Sequence, residues 1–195
     1  MNPIKLVILD RDGTINEDSH DFVKSANEWR ALPGALLAIT RLHQAGWHVV
    51  VASNQSGLGR GLFEVSALNE IHTQMHQQLA ALGGRIDAVF YCPHAPDDGC
   101  RCRKPLPGLF EQIADRYGID LAGMPCVGDA VRDLVAGVAV GCQPHLVLTG
   151  NSAALKGRPL PADFPPDTRV HADLAAFADW LLNQEATVQT AESQG

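Results

Sequence analysis

Two short stretches of the chain combine residue types that do chemistry. The first, Leu9-Asp10-Arg11-Asp12-Gly13-Thr14, closes an apolar run with two aspartates two positions apart. At the end of a strand that spacing turns both carboxylates toward the same side. Left unpaired they would repel one another and raise one pKa, unless a cation sits between them. A divalent ion resolves the conflict, and Mg2+ favours a few carboxylates, waters and phosphate oxygens. Gly13 allows a tight turn and Thr14 can lock it. The plainer reading is a solvated Asp-Gly turn that caps a helix.

The second stretch runs from Cys92 to Pro105, CPHAPDDGCRCRKP. Cys92-x-His94 and Cys100-x-Cys102 form two ligand pairs separated by five residues. Three thiolates and an imidazole suit tetrahedral Zn2+, and four protein ligands close the sphere, so the ion expected here is structural. The plainer alternative is accidental clustering of free thiols. Arg103 and Lys104 follow the last ligand directly, so a zinc-pinned loop would fix where two cations point. Cys126 and Cys142 sit in apolar contexts and are expected to pack in the core. Five cysteines with three in one loop do not fit a disulfide framework.

Two more polar stretches follow apolar runs. Ser53-Asn54-Gln55-Ser56-Gly57 offers a hydroxyl and glycines whose backbone N–H groups can approach an anion. No Gly-Lys-Ser/Thr follows, so it is not a Walker-type loop. Gly128-Asp129 places a third carboxylate where it could complete a metal site with Asp10, and Asp133 one turn later could orient a neighbour. Helix capping by Asp129 is the simpler use.

The elements that must position these groups alternate in period. Apolar, β-branched runs at 4–10, 47–54, 88–92, 124–129 and 145–150 read as strands. Helical patterns lie between them at 34–46, 66–84, 106–118 and 130–141, with a last one at 173–182. Near-continuous apolar strands separated by helices predict an α/β fold, a Rossmann-like parallel sheet covered by helices on both faces. In such sheets ligands bind at the carboxyl ends of the strands, and each polar stretch above occupies one of those ends. No insertion large enough for a cap domain is visible. Residues 1–184 are expected to form a single domain, 151–169 to be irregular, and 185–195 to be a disordered polar tail.

Composition narrows the function classes. The 195 residues are 46% hydrophobic and 19% charged, with a formal net charge of −7. That charge opposes general nucleic-acid binding. No run approaches the roughly 20 apolar residues of a membrane span, and the N-terminus lacks a signal-peptide layout. A cytoplasmic monomer without membrane or nucleic-acid partners is expected.

Taken in order, LDRDGT, Ser53 of SNQS, Lys104 of CRKP and Asp129 of GDAVRD resemble the haloacid dehalogenase superfamily of phosphotransferases. More narrowly, LDRDGTIN, SNQSGLGRG, YCPH…CRCRKP and GDAVRD are similar to the heptose bisphosphate phosphatases, across residues 4–150. Histidinol-phosphate phosphatases share the first motif and the zinc loop, but typically carry Asp-Gly where this chain has Ser56-Gly57. Ala130 stands where many relatives have Lys.

The resemblance implies a Mg2+-dependent phosphatase that removes the 7-phosphate of D-glycero-D-manno-heptose 1,7-bisphosphate. Asp10 would be the nucleophile, forming an aspartyl-phosphate. Asp12 would be acid and then base, for which a raised pKa is expected. Mg2+ would be held by the Asp10 and Asp129 carboxylates and the Asp12 main-chain carbonyl. Ser53 and Lys104 would hold the phosphoryl oxygens. Arg103 would reach the second phosphate, and Asp18, Ser19, His20 and Asp21, with Asn54, Gln55 and Ser56, would contact the sugar phosphate. The alternatives are histidinol phosphate as substrate, or a non-catalytic zinc-binding interaction module.

Overall fold

The computed structural model describes residues 4–19 and 22–192. Six parallel strands form one sheet: β1 (Leu6–Leu9), β2 (His48–Asn54), β3 (Ala88–Cys92), β4 (Pro125–Gly128), β5 (Gln143–Val147) and β6 (Arg169–His171). Their order is β3-β2-β1-β4-β5-β6. The chain steps outward from β1 through β2 to β3, then returns to lay β4 against the other side of β1. Neighbouring crossovers therefore leave β1 and β4 in opposite directions, and a crevice opens at their carboxyl ends. Asp10 continues β1 and its N–H donates to Val127 O of β4 at 2.8 Å.

Period-two alternation assigns each strand to two cores at once. Val7 and Leu9 face a layer built by α1 (Ala35–Gln44), α3 (Val65–Ala81) and α6 (Leu174–Glu192), which contribute Ile39, Leu42, Ile71, Met75 and Phe177. Leu6 and Ile8 face the opposite layer, where α4 (Gly108–Tyr117) and α5 (Val131–Val138) supply Leu109, Ile113 and Leu134. Each such side chain contributes on the order of 2 kcal/mol by leaving water. That burial on both faces keeps the strand ends in register. Cys126 and Cys142 are buried in the second layer, as their apolar contexts predict. A four-residue helix, α2 (Ser56–Gly59), starts directly after β2.

The parallel α/β sheet is the one the sequence predicts, with three differences. The irregular segment expected at 151–169 ends in β6, an edge strand of three residues that is too short to show a period. The fifth strand starts and ends earlier than 145–150, because Gly150 already opens a 3-10 turn (Gly150–Leu155). Helix α6 runs to Glu192, past the 182 end read from the sequence and into the segment 185–195 expected to be disordered. That segment carries neither Gly nor Pro before residue 195, so no stop signal interrupts the helix there. Among the described residues no helix is long and apolar enough to cross a membrane.

Candidate active site

Three buried carboxylates and one buried ammonium meet at the switch point. Lys104 Nζ lies 2.7 Å from Asp10 Oδ1 and 2.7 Å from Asp133 Oδ1, and donates to the Ala52 carbonyl at 2.6 Å. Oxygens of Asp10, Asp129 and Asp133 all lie within 4.8 Å of one another. Asp133 thus orients Lys104, and its other oxygen accepts the Ala130 N–H at 3.1 Å. Burial pushes the Asp10 pKa up to about 8, and the Asp133 and Asp129 charges add to this against the opposing pull of Lys104. Asp129 is pushed up to about 6, first by burial and then by Asp133. Burial alone would lower Lys104, but Asp10 and Asp133 hold its pKa above the ordinary lysine value.

Three carboxylates against the Lys104 ammonium and the nearby Arg132 charge still leave an excess of negative charge that a divalent cation would offset. The donor set fits Mg2+, which takes a few carboxylates and keeps sites for water and phosphate oxygens. One further observation supports the fit: Asp129 Oδ1 is buried without a hydrogen-bond partner among the described residues. Asp129 Oδ2 is held in place, accepting the Asn151 main-chain N–H at 2.7 Å and Asn151 Nδ2 at 2.9 Å. Backbone also closes tightly around that oxygen. A Cβ on Gly13 (φ 83°) or on Gly150 (φ 48°) would sit 2.1 Å from Asp129 Oδ2, so both positions require glycine.

Asp12 points away from this cluster. Its Oδ1 accepts Arg11 Nε at 3.0 Å, Arg11 Nη2 at 2.7 Å and Asn16 Nδ2 at 2.9 Å, and its Oδ2 accepts Gln55 Nε2 at 2.8 Å. Burial raises its pKa, yet the Arg11 charge and the bonds from Asn16, Arg11 and Gln55 outweigh burial and hold it below the usual carboxylate range. The raised Asp12 pKa expected from the sequence is therefore corrected. Four donors stabilise the anion, and the carboxylate that repels Asp10 is Asp133 rather than Asp12. Arg11 is itself buried and lies 3.3 Å from His72 Nε2 of α3.

A cavity of about 240 Å³ opens over this centre. Asp10 and Asp12 lie at its base, and Asn54, Gln55 and Ser56 form one wall. Asp18 and Ser19, expected to contact the sugar, line it, whereas His20 and Asp21 fall outside the described residues. Ser53, Lys104 and Asp129 are buried just behind the lining. Arg103 lines the cavity with its Nη1 buried and unpartnered among the described residues. Asn54 holds the loop of Lys104 by reciprocal bonds: Asn54 Nδ2 donates to Lys104 O and Lys104 N–H donates to Asn54 Oδ1, both at 3.0 Å.

The cysteine loop folds into one cluster. Cys92 Sγ is 3.6 Å from His94 Nδ1 and 3.6 Å from Cys100 Sγ, and His94 Nδ1 is 3.2 Å from Cys102 Sγ. All four ligand atoms lie within 4.8 Å of one another. A tetrahedral zinc with Zn–S near 2.3 Å sets sulfur atoms about 3.8 Å apart, so the spacing fits such an ion. Burial and the neighbouring thiols push Cys92 up to about 12, so without a cation it stays a neutral thiol rather than a thiolate.

Comparison with known proteins agrees with this geometry. The HAD-hydrolase-like family model matches residues 101–177. The D-glycero-beta-D-manno-heptose-1,7-bisphosphate 7-phosphatase of Bordetella bronchiseptica is 58% identical over 181 residues, covering 93% of this chain and 99% of the relative. The chain belongs to the family of haloacid-dehalogenase-like heptose bisphosphate phosphatases. A family member from Pseudomonas aeruginosa is 49% identical over 91% of this chain and 97% of its own length. The crystal structure of the B. bronchiseptica D,D-heptose 1,7-bisphosphate phosphatase, complexed with magnesium and phosphate, superposes with a TM-score of 0.88 at 57% identity, covering 93% and 99% of the two chains. The Burkholderia thailandensis member gives a TM-score of 0.70 at 49% identity, over 91% and 98%.

Within this family fold, several residues complete the site without having been singled out in the sequence. Arg132 lines the cavity from the first turn of α5, and Asn151 lines it while gripping Asp129. Asn16 clamps Asp12. Phe22, in a left-handed backbone conformation (φ 64°), lines the same cavity with the Arg60 guanidinium 5.8 Å from its ring centroid. Arg132 lies inside the quoted GDAVRD, but only the fold shows that it faces the cavity.

Proposed function

We propose that the protein is a Mg2+-dependent phosphatase that removes the 7-phosphate of D-glycero-β-D-manno-heptose 1,7-bisphosphate through an aspartyl-phosphate. The observation that carries this reading is the buried centre of Asp10, Lys104, Asp133 and Asp129 at the carboxyl end of the sheet. The β-anomer is the one in the names of the relatives from B. bronchiseptica and P. aeruginosa. The division of work among the side chains is the one the family resemblance implies. An Asp10 carboxylate oxygen attacks phosphorus, a new P–O bond forms, and the P–O bond to the sugar breaks. The free site holds the Asp12 carboxyl as the anion, so it must take up a proton before the bond breaks. It then gives that proton to the leaving sugar oxygen, an acid contribution of about 10²–10⁴-fold in comparable enzymes. Water then attacks the aspartyl-phosphate, Asp12 takes back a proton, and Asp10 and inorganic phosphate are released.

Lys104 and Ser53 would hold the phosphoryl oxygens, so that positioning and charge supply most of the rate. Mg2+, held by the Asp10 and Asp129 carboxylates and the Asp12 main-chain carbonyl, would supply the charge that lets an anionic nucleophile approach an anionic phosphate. Among the described residues Arg103 and Arg132 are the cations of the cavity wall suited to the second phosphate, Arg103 with a buried nitrogen that has no partner among them. Asp18 and Ser19, with the neighbouring His20 and Asp21, would contact the sugar. Zinc at Cys92, His94, Cys100 and Cys102 would be structural, fixing the loop that carries Arg103 and Lys104. We place this chemistry in a single domain spanning residues 1–184.

The test is phosphate release in Mg2+ buffer from the β-bisphosphate and from histidinol phosphate. A kcat/KM preference of about a hundredfold or more for the bisphosphate, roughly 2.7 kcal/mol, is expected. The opposite preference would reassign the substrate, and release from neither would overturn the phosphatase reading.

A further inference from the structure

Gln55 is buried beside the cavity, and the two hydrogens of its amide nitrogen go to two different partners. One is donated to Asp12 Oδ2 at 2.8 Å and the other to Ser53 Oγ at 2.8 Å. The reverse amide orientation would set its carbonyl oxygen against a carboxylate oxygen, so Asp12 fixes which end points inward. The main-chain N–H of Gln55 donates to the Cys92 carbonyl at 2.8 Å, at the first residue of the metal-ligand cluster. We propose that Gln55 is the positioning residue that sets the Asp12 carboxyl and the Ser53 hydroxyl relative to one another, its own main chain being held by the last residue of β3. This inference rests on the phosphatase reading above.

Two consequences of the bonding give the arrangement its chemical meaning. Asp12 Oδ1 already accepts three hydrogens, two from Arg11 and one from Asn16. The proton that Asp12 exchanges with the sugar oxygen must therefore ride on Oδ2, the oxygen that among the described residues Gln55 alone holds. Ser53 Oγ accepts from Gln55, which leaves the hydroxyl's own hydrogen to be donated. A phosphoryl oxygen needs a donor of that kind. One amide thus turns the acid toward the leaving group and the serine toward the phosphate.

The test compares Gln55→Leu with the unaltered protein on two substrates. A sugar alkoxide leaves only with a proton from Asp12, whereas the phenolate of p-nitrophenyl phosphate leaves without one. The expected result on the bisphosphate is a kcat about 30- to 100-fold lower with KM changed by less than about threefold. First-turnover release of p-nitrophenolate needs the Ser53 hydroxyl but not the Asp12 proton, so only the loss through Ser53 is shared and this release should fall by less than about fivefold. Equal losses on both substrates, a rise in KM alone, or no loss would overturn the assignment. Should Gln55→Leu fail to fold, Gln55→Glu gives an independent reading. Its carboxylate would face Asp12, so it should also lose the bisphosphate selectively, and wild-type activity in that variant would equally overturn the proposal. An unaltered protein inactive on the bisphosphate would instead count against the phosphatase reading itself.

Discussion

Lys104 is the residue on which the charge balance of the centre depends. Its ammonium contacts Asp10 and Asp133, while Asp129 lies in the same group of carboxylates. Lys104→Met keeps the length of the side chain and removes its charge. It is expected to lower kcat by on the order of 10²–10³-fold, the scale lost with one charge-stabilising donor. A kcat within about threefold of wild type would show that the ammonium is not part of the transition-state environment. Asp10, Ser53 and Asp129 were legible in the sequence because each follows or ends an apolar run, and the carboxyl-end rule gathers such positions. Lys104 was legible because the Arg103-Lys104 pair directly follows the last cysteine of the ligand loop. Asn16, Arg132 and Asn151 were not, because no spacing rule tells which polar residue of a turn faces inward. The lowered Asp12 pKa was hidden for a related reason. Its four hydrogen bonds come from Arg11, Asn16 and Gln55, and only the fold brings Gln55 to it.

Among the elements, the cysteine loop links β3 to α4 and carries Arg103 and Lys104 at its end. Cys102→Ala removes one ligand of a four-ligand cluster. Bound zinc, measured by metal analysis, should fall well below one per chain. Tm should fall by about 5–10 °C, the shift expected for a few kcal/mol in a chain of this size. Unchanged activity in a zinc-free protein would sever the loop from Lys104 positioning. At the far edge of the sheet, His145 of β5 and His171 of β6 stack 3.0 Å apart between Nδ1 and Nε2, against Phe177 and Trp180 of α6. Burial pushes His145 down to about 3, and the charges of His171 and Arg169 add to this. The folded protein therefore keeps it uncharged where the unfolded chain, near the ordinary 6.5, takes up a proton. Unfolding binds that extra proton between those two values, so stability falls as pH drops through the window, by up to about 1.4 kcal/mol per pH unit. Urea midpoints measured at about pH 7.5 and 5 should separate more in the wild type than in His145→Phe, and equal separations would contradict the role. The pairing was not readable from sequence, because β6 is three residues long and its register with β5 exists only in the folded sheet.

At the scale of the whole molecule, the fold is a device for bringing four strand ends to one point. The alternation of apolar strands and helices made the parallel sheet legible. The strand order, with β1 between β2 and β4, is what sets Asp10 beside Asp129 and brings the loop after β3 over both. A chain with the same motifs and another strand order would hold the same residues apart. The cavity lies over that point, between the loop containing Asp18 and Ser19 and the wall bearing Arg103 and Arg132. The molecule's central chemical claim is that Asp10 itself carries the phosphoryl group during turnover. Its most direct test is mass spectrometry of enzyme quenched in acid during turnover of the bisphosphate, with Asp10→Asn as the control. One added phosphoryl group on the peptide containing Asp10, absent from the folded but inactive Asp10→Asn protein, is the predicted result. Turnover by Asp10→Asn, or a phosphoryl group found on another residue, would contradict it.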